Sequence, residues 1–417
     1  MYIEWNENIS VNKSQNRGDV TFSIDGTPSS FDLQARYEDG DPRVNIYLSG
    51  MSTMSEAYGA IVNLGYVSNK RPYPRYNAIP FIIAGTDGRF ICNSPNRLSP
   101  SWLQLNLPML GQRTLRQICL PESHDTGMWT RGKGTAAVTD GVVLTQSKDV
   151  TAQLGYGVRV LDIRPVISGG QLYTGHYSDN RGANGGSMAS IVDQVNAFTD
   201  TYPELVIIRL QNEWQTDATP NYRRFNQDEW NRLFSELSRL KHLFTWPAGS
   251  TDLTKLTLSQ YIGNKRAAVI LILHKDSRDA SLGPYAEKGF YYDSAFPLFD
   301  QYANSNDPNS LMNDQFAKMQ REKPNPDSKM FNIGWALTQQ TADVITSVLD
   351  PSKTIRAFAS YMNTRLAPEL VRKCTKASFP NVLGIDYIQD TIPVAVATAI
   401  HCLTDSPQYH TNLQSKL

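Results

Sequence analysis

Two histidines in this sequence lie where they could work as a pair. The run ICLPE leads into Ser123–His124–Asp125–Thr126–Gly127, VRVLDIR ends in Asp162–Ile163–Arg164, and LYTGH ends in Gly175–His176. One neutral imidazole can take a proton from an attacking hydroxyl while a second, protonated, gives one to a leaving oxygen. An unperturbed pKa of about 6.5 makes both states accessible near neutrality. An arginine between them suits the negative charge that builds up on phosphoryl oxygens, because its planar fork matches them. The chemistry implied is attack on a phosphodiester, with no metal required. Each residue also has a plainer reading. A strand-end histidine can be a structural hydrogen-bonding group, and Asp162 and Arg164, two apart on a strand, can be an ion pair. Their coincidence at three strand ends weighs against that, since every buried charge needs its own partner and a packed interior needs none of them.

The elements that must carry these residues begin at about residue 115. Eight apolar runs, RQICLPE, VRVLDIR, LYTGH, LVIIRLQ, AAVILIL, GFYYDSA, FNIGWAL and NVLGIDY, alternate with segments of helical periodicity such as SMASIVDQVNAFTDTYP and DEWNRLFSELSRLKHLF. Strands separated by helices call for a parallel sheet covered by helices. The count predicts an irregular TIM-type (βα)8 barrel over residues 106–417, in which reactive side chains gather where strands end. Residues 1–105 differ in texture. VTFSIDGTPSSFDL, VNIYLSG, AIVNLGYV and IPFIIAGTDGRFIC alternate short β-rich runs with turn residues, which predicts a small all-β, sandwich-like domain. The stretch NSPNRLSPSW at 93–102 reads as the linker.

Bulk properties narrow the function. The chain has 417 residues with 40 basic and 40 acidic side chains, so the net charge is zero and nucleic acid is not an expected partner. No run approaches the roughly 20 apolar residues needed to cross a bilayer, and a soluble monomer without a cofactor is expected. The start MYIEWNENIS lacks a leader's basic and apolar regions, which fits either an intracellular protein or a mature secreted one. Cys92, Cys119, Cys374 and Cys402 have no zinc-type spacing; separate buried thiols are expected, with a Cys374–Cys402 bridge as the alternative. Asn8 and Asn12 begin N-x-S sequons that matter only on secretion.

ICLPESHDTG, LTQSKDVTAQLGYGVRVLDIRPV, LYTGHY and IVDQVNAFTDTYPELVIIRLQNEW, in this order, resemble the X-domain core of the phosphatidylinositol-specific phospholipase C superfamily. The resemblance is strong over roughly residues 115–215 and weaker over the rest of the barrel. It implies cleavage of an inositol phospholipid to diacylglycerol and cyclic inositol 1,2-phosphate, with transient peripheral contact at a membrane. By the same resemblance His124 is the general base, His176 the general acid supported by Asp125, and Arg164 the phosphate-stabilising cation held by Asp162. Asp386 in NVLGIDY would support the base. Calcium-dependent relatives surround the metal with an Asn, an acidic pair and a Glu where this chain has Asp125, Asp162 with Arg164, and Gln211. A fixed guanidinium inside a calcium shell would oppose the metal, so the resemblance is to the bacterial, calcium-independent branch.

The segment LFDQYAN resembles one that binds inositol hydroxyls, which makes Asp300 an acceptor and Tyr302 a stacking ring. Lys275 is a further candidate for the headgroup, and Gln211 stands where bacterial relatives usually have a lysine. At the rim, Trp129 with Arg131 and Lys133 is the expected membrane-facing group, with Phe296 and Phe299 as weaker candidates. Two other functions compete. A lipid-headgroup or glycan binder on a vestigial barrel would not need an acid–base pair. A glycerophosphodiester phosphodiesterase would need paired metal-binding glutamates after the first strand, where Glu122 stands alone.

Overall fold

The computed structural model describes residues 100–405 apart from 137, 179, 248, 275–279 and 392, and six strands that precede them. Contacts divide the chain into two units, residues 99–397 and residues 1–98 with 398–417. In the first part of the chain β1 (Val20–Phe22), β2 (Asp32–Tyr37), β3 (Arg43–Ser49) and β4 (Val62–Tyr66) pair antiparallel in that order. A second antiparallel pair joins β5 (Ile82–Thr86) to β6 (Arg89–Asn93). The expected linker residues 94–99 and the loops between these strands lie outside the described residues, as does any sandwich packing of their side chains.

The larger unit contains β7 (Leu120–Ser123), β8 (Val160–Ile163), β9 (Pro165–Ser168), β10 (Gln171–Ser178), β11 (Arg181–Ser187), β12 (Leu205–Leu210) and β13 (Trp214–Gln215). After these come β14 (Ala268–Leu273), β15 (Phe290–Tyr292), β16 (Leu298–Asp300), β17 (Met330–Gly334) and β18 (Val382–Ile385). Eight of them form one sheet in the order β15-β14-β12-β8-β7-β18-β17-β16. Every neighbouring pair in it is parallel. This is a TIM-type barrel with a seam, since no ladder joins β15 to β16 among the described residues. LVIIRL in β12 and AVILIL in β14 are buried at every position, as strands covered on both faces must be.

The helices follow their periodicity. Met188–Thr201 starts at Ser187, whose side chain caps Ser190 N, and buries Ile191, Val192, Val195 and Phe198. Gln227–Leu237 starts with a capping box between Asn226 and Glu229 and buries Trp230, Leu233, Phe234 and Leu237.

One expected barrel strand is elsewhere. LYTGH belongs to β10, which lies in a separate four-stranded sheet ordered β11-β10-β9-β13. Only Gly169 and Gly170, both at positive φ, connect β9 to β10. A two-residue turn can return the chain only antiparallel, whereas a parallel neighbour needs a crossover of a dozen residues or more. β8 pairs directly with β12 where LYTGH was expected, and the three-residue β16, beside β17, makes the eighth strand of the barrel sheet.

At the end of the barrel opposite the strand C-termini, Arg159 and Glu204 form a fully buried pair at 2.8 Å. Glu204 also accepts from Leu103 N at 3.1 Å and Gln104 N at 2.8 Å, while Arg159 lies 5.7 Å from the Trp102 ring centroid. The pair thereby fastens the helix Trp102–Leu105 to the first barrel strands. Cys119 and Cys374 are free, buried thiols, and burial pushes both further toward the neutral form. Cys374 is therefore a separate thiol, and the Cys402 side chain lies outside the described residues.

Candidate active site

The C-terminal ends of β7, β8 and β18 and the hairpin arm β10 bring six polar side chains together. His124, one residue beyond β7, has Nδ1 2.7 Å from Asp386 Oδ1, one residue beyond β18. His176 on β10 has Nδ1 2.8 Å from Asp125 Oδ2. Arg164 lies among them, with Nη2 2.7 Å from His124 Nε2 and 3.1 Å from Asp162 Oδ2, and Nη1 3.3 Å from Asp125 Oδ2. Both imidazoles are partly exposed, at 32% and 29% of the side chain, while the Asp125, Asp162 and Asp386 side chains are 5% exposed or less. The carboxylates line the buried wall and the two imidazoles face outward.

The proton states follow from these contacts. Arg164 can donate only to an unprotonated Nε2, so the arrangement holds a neutral His124 with its proton on Nδ1 toward Asp386. Burial opposes a second proton on that ring, yet Asp386 outweighs burial and raises the His124 pKa to about 9. The ring is thus inclined to take a proton, and the lone pair that would accept it is now occupied by Arg164. For Asp162, burial favours the neutral acid, but Arg164 overrides it and holds the carboxyl well below the usual range. Arg164 is in turn held charged by Asp125 and Asp162 against the cost of its burial. Asp386→Asn should remove the main influence that raises the His124 pKa. The acid limb of kcat/KM is expected above pH 6.5 in the parent protein and at lower pH in this variant, with a rate at the optimum about 10²-fold lower. A pH–rate profile of the two proteins checks both shifts, and an unmoved limb would separate Asp386 from the base.

Two residues that the motifs did not single out build this geometry. Asp125 and Tyr387, each just after a functional side chain, adopt left-handed backbone at φ 42° and 48°, a cost of about 1 kcal/mol or more apiece that surrounding contacts must offset. Thr145, in the LTQ run, holds both: its hydroxyl donates to Asp125 O at 2.9 Å and its carbonyl accepts from Tyr387 N at 2.7 Å. The adjacent Gln146, fully buried, donates to His124 O and Ile385 O at 3.0 Å each and accepts from Ile388 N at 3.1 Å. This clip joins the ends of β7 and β18. Its glutamine follows the apolar run VVL, and an amide once buried must find partners.

The other expected residues are placed less uniformly. Gln211 donates to Asp162 Oδ1 at 2.6 Å. Asp300 is paired with Arg209 and accepts from Asn332 Nδ2 at 3.2 Å, with a quarter of its side chain exposed. Tyr302 is 62% exposed. Lys275 lies outside the described residues. The Trp129 indole lies against Gly186, where a Cβ would come within 2.1 Å of the ring; the tryptophan is folded onto β11 and only partly exposed. Arg131 pairs with Asp140, and Lys133 is exposed on the same loop. Phe296 is buried and so is no rim residue, while Phe299 stacks on Phe331 at 5.7 Å. Among the described residues, no three His, Cys, Asp or Glu side chains are grouped as metal ligands would be.

No family model matches this sequence, and no curated protein matches it either. Solved structures do. A mutant phosphatidylinositol-specific phospholipase C from Staphylococcus aureus superposes with a TM-score of 0.52 at 15% identity, over 73% of this chain and 99% of its own. A second structure of that enzyme, from work on its membrane binding, gives 0.52 at 16% identity over 74% and 99%. The Listeria monocytogenes enzyme gives 0.48 at 16% identity over 73% and 98%. The chain thus has the barrel fold of the Staphylococcus aureus phosphatidylinositol-specific phospholipase C. The resemblance read from its motifs extends to the fold of the whole barrel.

Proposed function

We infer that this chain is a phosphodiesterase of the phospholipase C type that cleaves phosphatidylinositol or a related inositol lipid, glycosylated anchors included, with residues 106–417 as the catalytic part. The observation that carries this reading is the Arg164 guanidinium in contact with His124, Asp125 and Asp162, with His176 on the same Asp125. Both imidazoles are anchored through Nδ1, which leaves each Nε2 for chemistry. His124 Nε2 takes the proton of the inositol 2-hydroxyl as its oxygen bonds to phosphorus. The bond from phosphorus to the diacylglycerol oxygen breaks, and His176 gives that oxygen a proton. The products are diacylglycerol and cyclic inositol 1,2-phosphate, and hydrolysis of the cyclic product follows with the two roles exchanged.

Arg164 must move slightly for this to happen. It now donates to the nitrogen that the hydroxyl needs, and its own Nε is buried without a partner. A phosphoryl oxygen supplies the missing acceptor and draws the guanidinium off the ring, so substrate binding frees the base. The same guanidinium neutralises Asp125 and Asp162, the carboxylates that a calcium ion would otherwise use. Incubation with phosphatidylinositol vesicles in EDTA, followed by phosphorus NMR, tests the reading. Cyclic inositol phosphate is the expected product. Its absence would defeat the proposal, and activity only without EDTA would transfer it to a metal-dependent class.

The membrane-facing element is assigned to a different segment from the Trp129 loop. After β17, Val344, Ile345, Val348 and Leu349 are 41%, 70%, 64% and 91% exposed within six residues of sequence. Gln339 ties this segment to the loop following β7 through Gly141 O at 3.3 Å. Four exposed aliphatic side chains close together after β17 suit a lipid surface. Ile345→Ser with Leu349→Ser is expected to weaken vesicle binding about tenfold or more, while turnover of a monomeric short-chain substrate stays unchanged. Sedimentation with vesicles, together with assays on both substrate forms, checks the split.

A further inference from the structure

Below the candidate site the barrel interior carries a layer of charge that the proposed reaction does not use. Arg209 on β12 donates from Nη1 to Glu122 Oε1 on β7 at 2.5 Å, and from Nη2 to Asp300 on β16. Asn332 on β17 bridges the two carboxylates, with Nδ2 2.7 Å from Glu122 Oε2 and 3.2 Å from Asp300 Oδ1. Four strands thus contribute to one network. Gly384 on β18 leaves room for it, because a Cβ there would come 3.1 Å from Glu122 Oε2.

We propose that Arg209 is a positioning residue for the headgroup end of the site, a strut across the barrel lumen that holds Asp300 on the edge strand β16. The inference rests on the inositol-lipid reading above. Three observations support it. First, Arg209 and Glu122 are 5% and 3% exposed but Asp300 is 25% exposed, so a buried network has one end at the opening. A purely structural pair would be complete with Glu122 alone. Second, β16 pairs with β17 and with no strand on its other side among the described residues, so no ladder fixes Asp300 from the seam. Third, Gln211, two residues after Arg209 and one residue beyond the end of β12, donates to Asp162 at 2.6 Å. Two side chains at the C-terminal end of one strand therefore hold a carboxylate of the reacting end and the carboxylate expected to meet ring hydroxyls. The separation between the two ends is gauged by β12.

The test uses initial rates on a soluble short-chain phosphatidylinositol. Arg209→Lys keeps the charge but cannot engage two carboxylates at once. The pair Arg209→Met with Glu122→Gln removes both buried charges together, so the one carboxylate left without its cation is Asp300, a quarter exposed to solvent. Each change is expected to raise KM about tenfold or more, to leave kcat within about twofold, and to leave the acid limb of the pH profile in place. In an Asp300→Asn background the same changes should raise KM no further, because they act through that carboxylate. A fall in kcat at constant KM, or effects that multiply in the Asp300→Asn background, would overturn the proposal. A parent protein that leaves the substrate uncleaved would instead remove the functional reading on which it rests.

Discussion

Replacing His124 by alanine is expected to reduce phosphatidylinositol cleavage by about 10⁴-fold, to a level set by binding and electrostatics alone. The ring is the one group placed between an anchoring carboxylate, Asp386, and the guanidinium that would meet the phosphoryl group. No neighbour can replace it as proton acceptor. His176→Ala should lose a comparable factor. The double variant should lose little more than either single one, because the two imidazoles serve a single proton relay. Phosphorus NMR of cyclic product, with circular dichroism to show an intact fold, measures all three. Substantial cyclic product from the His124 variant would sink the assignment of the base.

Arg164→Lys is the second large effect, a fall of about 10²- to 10³-fold in kcat. Charge is retained, yet one ammonium cannot reach His124, Asp125 and Asp162 together as the planar fork does. The loss should fall mainly on kcat, since the charge that Arg164 meets grows on the phosphoryl oxygens as the hydroxyl attacks. A change confined to KM would make the arginine a binding group only. Arg164→Met should lose more than the lysine variant, because Asp125 and Asp162 would then lose the guanidinium they share.

Much of the fold could be read from the residues because parallel strands buried on both faces have little freedom in composition. LVIIRL and AVILIL needed no context. β16 could not be read in this way: three residues, LFD, carry no periodicity, and the strand exists because β17 offers it an edge. LYTGH misled for the opposite reason. It has strand composition, but Ser-Gly-Gly before it is a hairpin turn, and turn chemistry decides partner and direction where composition cannot.

The candidate site was legible in its six central residues, since polar groups at strand ends have few structural uses. Gln146 and Arg209 were not singled out. Gln146 acts through backbone groups of His124, Ile385 and Ile388 that no side-chain pattern reveals. Arg209 did leave a trace, a lone charge inside LVIIRLQ, and its partners lie 87 and 91 residues away. Pairing of that range becomes visible only when the barrel brings the strands together.

The hairpin arm has a consequence for how such a catalyst can change. The proposed acid and the proposed base ride on separate mechanical parts: His124 is set in the barrel wall, and His176 on an appended flap whose bend begins at two glycines. The gap they span is tuned by that flap's pitch, independently of the barrel's girth. Substitutions in a short surface ribbon could refit the catalyst to a bulkier or slimmer phosphoryl group while the load-carrying wall keeps its packing.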